Sequence, residues 1–183
     1  IIPLTVEIDG KIFKDGVDIT SNEFNKLMIN SKQLPKTAHP SPEIFKETFL
    51  KYTNLGYDIL CLTISSKLSG TYQAATLAKS MINSDKEIII FDTLAASSGE
   101  ALQVIKAAEL IEQGDSLSKI IKILKKYRNE MNILILLDTL ENIVKGGRLS
   151  KVKGTIAKIL NFKIILHNVE GSVEMLEKIR GKK

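Results

Sequence analysis

Apolar positions alternate at the start of the chain and take up helical spacing soon afterwards. The alternation over residues 4–8, followed by Asp9-Gly10, predicts a β-hairpin closed by a two-residue turn. Thr20 and Glu23 have the spacing of a capping box, which predicts that a short helix begins there. The chain therefore combines strands and helices from its first residues onward.

Prolines mark the next segment. Residues 33–40 predict a polar loop with a proline near each end. Ser41-Pro42 then predicts the start of a helix, because serine suits the N-cap and proline suits the first helical position. We expect this helix to stop at Gly56.

The middle of the chain alternates between buried strands and helices. Short continuous apolar runs, typical of strands that are buried on both faces, occupy residues 57–64, 87–91 and 132–137. Helical spacing separates these runs, over residues 71–82, over residues 98–113 and from Ser116 onward. This order predicts an α/β fold with a doubly wound, mostly parallel sheet and right-handed crossovers.

The pattern changes after Asp138. We expect short helices over residues 139–144 and 150–160, and alternation around Glu170-Gly171 predicts a hairpin. Because hairpin strands are antiparallel, they cannot continue a parallel layer, and we predict two domains. Residues 1–128 would form an N-terminal α/β domain, and residues 129–183 would begin an incomplete second α/β domain with an antiparallel hairpin.

Composition narrows the classes of function. No apolar run reaches the roughly 18 residues that a membrane span needs, so we expect no integral membrane segment. One cysteine, Cys61, and two histidines exclude a disulfide scaffold and a metal site rich in histidine or thiolate. These features favour a cytoplasmic protein. The chain begins with Ile1 and not with Met, which favours a fragment of a longer protein.

The net charge of +5 is unevenly distributed. Residues 145–183 carry ten Lys or Arg and three Asp or Glu, a net charge of +7, so the rest of the chain is slightly acidic. A nucleic-acid-binding module built on this basic end would lack an aromatic platform. We therefore expect no nucleic acid partner.

Three loops are rich in hydroxyl groups and glycine, namely residues 36–41, 65–71 and 92–99. The second and third follow predicted parallel strands and lead into helices, which is where open α/β sheets bind ligands. N–H groups at helix N-termini favour an anion there, and without a nucleotide-binding motif a carboxylate fits best. Helix capping by the same hydroxyls is an alternative that stays open.

Groups suited to catalysis are sparse. No G-x-S-x-G motif occurs, and His39 and His167 supply the imidazoles. The alternative to a binding protein is an acyl hydrolase or acyltransferase with Ser69 as nucleophile and His39 as base. Arg148 and Arg180 lie beside glycines, which favours bidentate recognition of phosphate or carboxylate. A helix end and a charged edge strand would explain the same arginines equally well.

The segment Ser65-Ser66-Lys67-Leu68-Ser69-Gly70-Thr71 resembles the signature loop of the DegV family of bacterial fatty-acid-binding proteins. Further segments resemble the same family in the same order, at residues 2–4, 15–16, 35–41, 92–99, 138–140, 145–150 and 178–181. Matches in register along the whole chain make the resemblance specific. It implies a two-domain protein, of which this chain lacks the first strand and the end of the second domain.

The resemblance implies that one long-chain fatty acid binds between the domains, with its acyl chain in an apolar tunnel. Thr37 and Ser69 would hold the carboxylate, and Ser65, Gly70 and Thr71 would shape the loop. The protein would then be a lipid carrier and not an enzyme, with no cofactor or metal besides the bound fatty acid.

The resemblance also implies a partner, because some members present their fatty acid to a separate fatty acid kinase. Arg180 would serve that encounter or the phosphorylated head group, and Arg148 would support the head-group end. Two departures from the family stand out, since Ala38 replaces a hydroxyl residue and His39 replaces glutamine. The carboxylate would lack one donor unless His39 or a water molecule supplies it.

Overall fold

The structure is a computed structural model, and it describes residues 1–31, 33–148 and 162–180. These residues belong to two compact units, one made of Ile1–Ile59 and Gly70–Ile89, the other of Leu60–Ser69 and Ile90–Lys183. The helix expected over residues 150–160 lies outside the described residues. The domain division expected at residue 128 stays a prediction.

The first unit contains an antiparallel sheet and three helices. In the sheet, β1 (Thr5–Ile8) lies between β2 (Lys11–Lys14) and β3 (Lys36–Ala38). Asp9 and Gly10 have φ angles of 48° and 79°, as a type I′ turn requires, so the predicted hairpin is confirmed. The helices of the unit are α1 (Ser21–Asn30), α2 (Pro42–Thr53) and α3 (Thr71–Ser80).

The loop expected over residues 33–40 contains a strand. β3 pairs with β1 in antiparallel register, with Thr37 opposite Val6. The expectation was therefore wrong for residues 36–38. A three-residue strand is too short to show alternation, and the prolines on either side of it are typical of a loop. The pairing places Thr37 on an edge strand of the sheet, where β3 is hydrogen-bonded to β1.

The second unit contains most of a parallel strand pair and the helices packed on it. The pair consists of β4 (Ile59–Thr63) and β5 (Ile88–Asp92). The helices α4 (Ser98–Glu112) and α5 (Leu117–Glu130) follow along the chain. Their apolar faces meet β5 in a buried cluster formed by Phe91, Ala107, Leu110, Ile120 and Leu124. The α/β fold class predicted from the order of the elements is confirmed.

The same unit contains a second sheet. It is antiparallel, in the order β6 (Leu134–Leu137), β7 (Phe162–Val169) and β8 (Ser172–Arg180). A short helix, α6 (Glu141–Lys145), follows β6. Glu170 and Gly171 have φ angles of 48° and 86°, and the hairpin predicted there is confirmed.

The third apolar run does not form a buried strand. β6 pairs antiparallel with β7, and Leu134 and Leu136 on it are 66% and 65% exposed. The alternate residues Ile135 and Leu137 pack against the buried core of the sheet. The expectation of burial was therefore wrong. A strand that carries leucine and isoleucine on both faces gives the same apolar run whether one face or both are covered.

Candidate functional site

Ser65 organises the loop that follows β4. Its backbone N–H donates to the carbonyl of Ala95 at 2.8 Å. Its own carbonyl accepts from the N–H groups of Leu68 at 3.0 Å and Ser69 at 3.1 Å. The loop therefore wraps in a single turn around Ser65, and the backbone of Ser69 is tied to this residue.

The Ser65 hydroxyl is fully used inside the protein. It donates to the carbonyl of Gly171 at 2.7 Å and accepts from the N–H of Lys67 at 3.2 Å. The residue is 0% exposed. Because the only proton of the hydroxyl goes to Gly171, it cannot also be donated to a carboxylate ligand. This geometry fits the loop-shaping role that the resemblance implies for Ser65.

The carboxylate of Asp92 joins two of the hydroxyl-rich loops. It accepts from the N–H of Ser66 at 3.2 Å and from the N–H of Leu94 at 3.0 Å. Behind it, Arg128 donates to the carbonyl of Asp92 at 2.6 Å and stacks over the Phe91 ring. The two loops were expected to share one sheet edge, and these bonds hold them together there.

Helix capping does not explain the hydroxyls of these loops at the N-cap positions. The loops lead into α2, α3 and α4, whose N-cap residues are Ser41, Gly70 and Ser97. None of the three makes a side-chain capping hydrogen bond. A serine or threonine cap normally makes such a bond. The capping alternative is therefore wrong for Ser41 and Ser97, and Gly70 has no side chain with which to cap.

His39 and Gly70 are brought together within the first unit. A Cβ placed on Gly70 would lie 2.7 Å from His39 Nε2, closer than any side chain allows. A side chain at position 70 would therefore require the His39 ring to move. Thr37 precedes His39 on the same segment and is exposed at the centre of β3.

The His39 ring has a defined orientation. Its Nδ1 lies 2.9 Å from the carbonyl of Pro40, and since a carbonyl only accepts, Nδ1 must carry the donated proton. In the neutral ring Nε2 is then an acceptor, and it faces Gly70. Neutral His39 therefore cannot replace the donor that Ala38 lacks, because donation from Nε2 requires the imidazolium form.

The two predicted arginines lie in different surroundings. Arg148 donates from Nη1 to the carbonyl of Gly146 at 2.6 Å and from Nε to the carbonyl of Leu68 at 3.5 Å. It thus contacts the Ser65–Ser69 loop, where Leu68 precedes Ser69. Arg180 is the exposed last residue of β8. The structure shows no contact between Arg180 and the loop among the described residues.

The thiol of Cys61 is unreactive. Burial and, to a smaller extent, the negative charge of Glu100 together raise the pKa of this thiol to about 11. Burial also raises the pKa of Glu100 itself. A thiol with so high a pKa stays protonated at neutral pH and is a poor nucleophile. Cys61 therefore acts as a small packing residue in β4.

The sequence did not predict the role of Gly171 or the backbone strain within the third hydroxyl-rich loop. Gly171 was interpreted as a turn residue alone, yet it accepts the Ser65 hydroxyl proton. Leu94 and Ser97 have φ angles of 48° and 54°, which non-glycine residues adopt at a cost of about 1–3 kcal/mol each. Such strain between β5 and α4 has no signature in the sequence, because neither residue is a glycine or asparagine.

A cleft of about 460 Å³ in the second unit is lined in part by the Thr93–Ala95 segment. Its lining includes Gln103, Arg128 and Asn168 together with this part of the third hydroxyl-rich loop. Gln103 is 0% exposed and donates to the carbonyls of Thr93 and Gly99 at 3.0 Å each. Gln103 thus stabilises the loop after β5 through these two backbone carbonyls.

The described residues lack two further features. Among them, no group of three or more His, Cys, Asp or Glu side chains is arranged to hold a metal ion. Within the same residues, no helix combines the length and the apolar character needed to cross a membrane.

Comparison with protein families gives one match over the entire chain. The family described as "Uncharacterised protein, DegV family" matches residues 1–183. The chain belongs to the DegV family. The resemblance found in the loop motifs is thereby confirmed.

Curated relatives carry the same family name. A DegV domain-containing protein of Clostridium acetobutylicum is 37% identical over 183 residues, and one of Listeria innocua is 38% identical over 184 residues. Each alignment covers 100% of this chain and 65% of the relative. The DegV chain therefore spans about two thirds of the length of these relatives.

Solved structures of the family share the fold. A fatty-acid-binding DegV family protein from Thermus thermophilus has a TM-score of 0.86 and 35% identity, covering 98% of this chain and 64% of that one. The stearic acid-binding protein of Eubacterium ventriosum has a TM-score of 0.87 and 27% identity, with coverage of 99% and 64%. The Streptococcus pneumoniae fatty acid kinase (Fak) B3 protein, loaded with linoleic acid, has a TM-score of 0.84 and 31% identity, with coverage of 98% and 64%.

Proposed function

We propose that the complete protein binds a long-chain fatty acid and that Thr37 and Ser69 hold its carboxylate. The observation that carries this proposal is the Ser65–Ser69 loop. Its backbone is wrapped around Ser65, and its conformation is fixed by bonds to Ala95 and Gly171. The fatty acids bound by similar DegV structures support the class of ligand.

Different structural elements position the two proposed carboxylate ligands. Thr37 is exposed on β3, whose backbone is paired with β1. The N–H of Ser69 donates to the carbonyl of Ser65, which fixes the Ser69 backbone. Ser69 directly precedes Gly70, the N-cap of α3. Gly70 and Thr71 begin that helix, whose N-terminal dipole favours a carboxylate. Ser65 is assigned to loop shape, because its hydroxyl proton is already donated.

Substitution of the two hydroxyl residues tests the proposal. In the full-length protein, freed of lipid, Thr37→Val and Ser69→Ala should each weaken the binding of radiolabelled palmitate about ten- to hundredfold, because each removes a hydrogen bond to a charged group. Thr76→Val and Ser80→Ala, both on α3, are matched controls and should leave the affinity unchanged, since their hydroxyls bond only to carbonyls of their own helix. Unchanged affinity in both Thr37→Val and Ser69→Ala would remove the site assignment.

His39 supports a second candidate, an acyl hydrolase with Ser69 as nucleophile. The specific observation is the orientation of the His39 ring. Its Nδ1 donates to the carbonyl of Pro40, which leaves Nε2, the nitrogen that faces Gly70, to act as the base. A fluorophosphonate probe distinguishes the two functions. Covalent labelling of wild type but not of Ser69→Ala would favour the hydrolase, whereas a binding protein stays unlabelled.

The remaining expectations concern the partner and the compartment. The Fak B3 protein of Streptococcus pneumoniae supports a role for the complete protein as a carrier that serves a fatty acid kinase in the cytoplasm. Arg180, which is exposed at the end of β8, is the proposed contact of the kinase or of the phosphorylated head group. Arg148, which donates to the carbonyl of Leu68, is proposed to support the head-group end of the ligand. Co-purification with a kinase that Arg180→Ala abolishes would support this role, and its persistence in that variant would exclude Arg180.

A further inference from the structure

The tip of the β7–β8 hairpin is bonded to both hydroxyl-rich loops of the second unit. The carbonyl of Gly171 accepts the Ser65 hydroxyl at 2.7 Å. Next to it, the Asn168 side chain donates to the carbonyl of Leu94 at 2.9 Å. Ser65 and Gly171 are 106 positions apart in the chain, so this contact links the proposed ligand loop to a distant turn.

Gly171 leaves no room for a side chain. A Cβ there would overlap the Ser65 hydroxyl oxygen and would lie 3.0 Å from Leu94 Cδ2 and 3.3 Å from Leu94 Cα. The backbone atom of Leu94 cannot move aside cheaply. The simplest relief is rotation of the Ser65 side chain, which breaks the bond to Gly171 and the bond that holds the Lys67 N–H.

From these contacts we infer that Gly171 is a positioning residue for Ser69, acting through Ser65. This inference rests on the proposed function of Ser69 as a carboxylate ligand. The path is short, because the Ser65 hydroxyl donates to the carbonyl of Gly171 and the Ser65 carbonyl accepts from the N–H of Ser69. A change at the hairpin tip therefore shifts the ligand loop although residue 171 is remote from it in sequence.

The chain supplies a matched control for a substitution at this position. Gly10 is also the second residue of a two-residue hairpin turn, and its φ of 79° is close to the 86° of Gly171. Nothing lies within 4 Å of a Cβ placed on Gly10. Gly10→Ala therefore imposes the same backbone strain as Gly171→Ala without the overlap with Ser65.

The test uses the full-length, lipid-free protein with palmitate as the probe. Gly171→Ala should weaken palmitate binding about tenfold, the value of one hydrogen bond to a charged group, whereas Gly10→Ala should not. Once Ser65→Ala has removed the overlapping oxygen, adding Gly171→Ala should have little further effect, because the two residues act on one contact. Equal affinities of Gly171→Ala and Gly10→Ala, or additive effects of Ser65→Ala and Gly171→Ala, would overturn the inference.

Hydrogen exchange separates this inference from the proposed function. In the ligand-free protein, the peptide that contains residues 65–69 should exchange faster in Gly171→Ala and remain unchanged in Gly10→Ala. Unchanged exchange in both variants would contradict the coupling, whatever the protein binds. If wild type bound no palmitate but Gly171→Ala still loosened this loop, the proposed function would fail and the coupling would stand.

Discussion

Two buried threonines at the ends of the parallel strands differ in whether their hydroxyl groups are hydrogen-bonded. Thr63 ends β4 and Thr93 follows β5, and they are 2% and 0% exposed. The Thr93 hydroxyl donates to the carbonyl of Thr63 at 2.8 Å and accepts from the N–H of Ala95 at 3.3 Å. The Thr63 hydroxyl has no partner in the described part of the chain. One hydroxyl therefore supports the loop after β5, and the other does not.

This difference predicts opposite effects of the same substitution. Thr93→Val should lower the free energy of unfolding by about 1–3 kcal/mol, because it leaves the Ala95 N–H without its acceptor. Thr63→Val should leave it unchanged or raise it by up to about 1 kcal/mol, since it removes a buried hydroxyl that has no partner. Urea unfolding of the full-length protein measures both. A larger loss in Thr63→Val than in Thr93→Val would contradict the hydrogen-bond assignment.

Among the elements, α1 depends most clearly on its cap. Thr20 and Glu23 form the predicted capping box, in which the Thr20 hydroxyl accepts from the Glu23 N–H at 3.3 Å and the Glu23 carboxylate accepts from the Thr20 N–H at 2.8 Å. The Thr20 hydroxyl also donates to the Glu23 carboxylate at 2.6 Å, and this bond, followed by the bond from the Thr20 N–H, holds the pKa of Glu23 below its usual value. Since α1 contains no buried residue, tertiary packing contributes little to it.

Removal of the cap should therefore loosen α1 selectively. Thr20→Ala is expected to cost about 1 kcal/mol and to speed hydrogen exchange in Ser21–Asn30. Ser41→Ala is the matched control, because Ser41 is the N-cap of α2 but makes no side-chain capping bond. Its effect on exchange in Pro42–Thr53 should be smaller. An equal effect of both substitutions would show that the capping box does not stabilise α1.

Elements with strong local signals were predictable, and elements defined by their partners were not. Both hairpin turns could be predicted because Asp9-Gly10 and Glu170-Gly171 carry glycine where positive φ is needed. β3 and the exposed face of β6 depend on pairing with distant strands, which alternation within four residues cannot reveal. Local sequence thus predicted turns and helices better than strand partners.

The same distinction applies to the candidate site. The hydroxyl-rich loops could be found from their composition and from the family resemblance. The contact of Gly171 with Ser65 could not, because it joins residues far apart in sequence and uses a backbone carbonyl that every residue has. The closeness of His39 to Gly70 was likewise invisible, since it depends on packing and not on residue type.

At the scale of the whole molecule, the chain divides into two compact units. Thr37, Gly70 and Thr71 belong to the first unit, and Ser65 and Ser69 belong to the second. The chain spans about 65% of the length of its curated relatives. Fatty acid binding is therefore proposed for the complete protein, and the burial of an acyl chain, about 0.8 kcal/mol per methylene, would supply most of the affinity.

Native mass spectrometry of the full-length protein purified from cells, followed by lipid extraction, tests the central claim most directly. We expect a species heavier than the polypeptide by the mass of one long-chain fatty acid, which extraction then identifies as a free carboxylic acid. The Thr37→Val/Ser69→Ala double variant should carry much less of it. Wild-type protein that has the mass of the polypeptide alone, yields no fatty acid and takes up no palmitate would contradict the proposal.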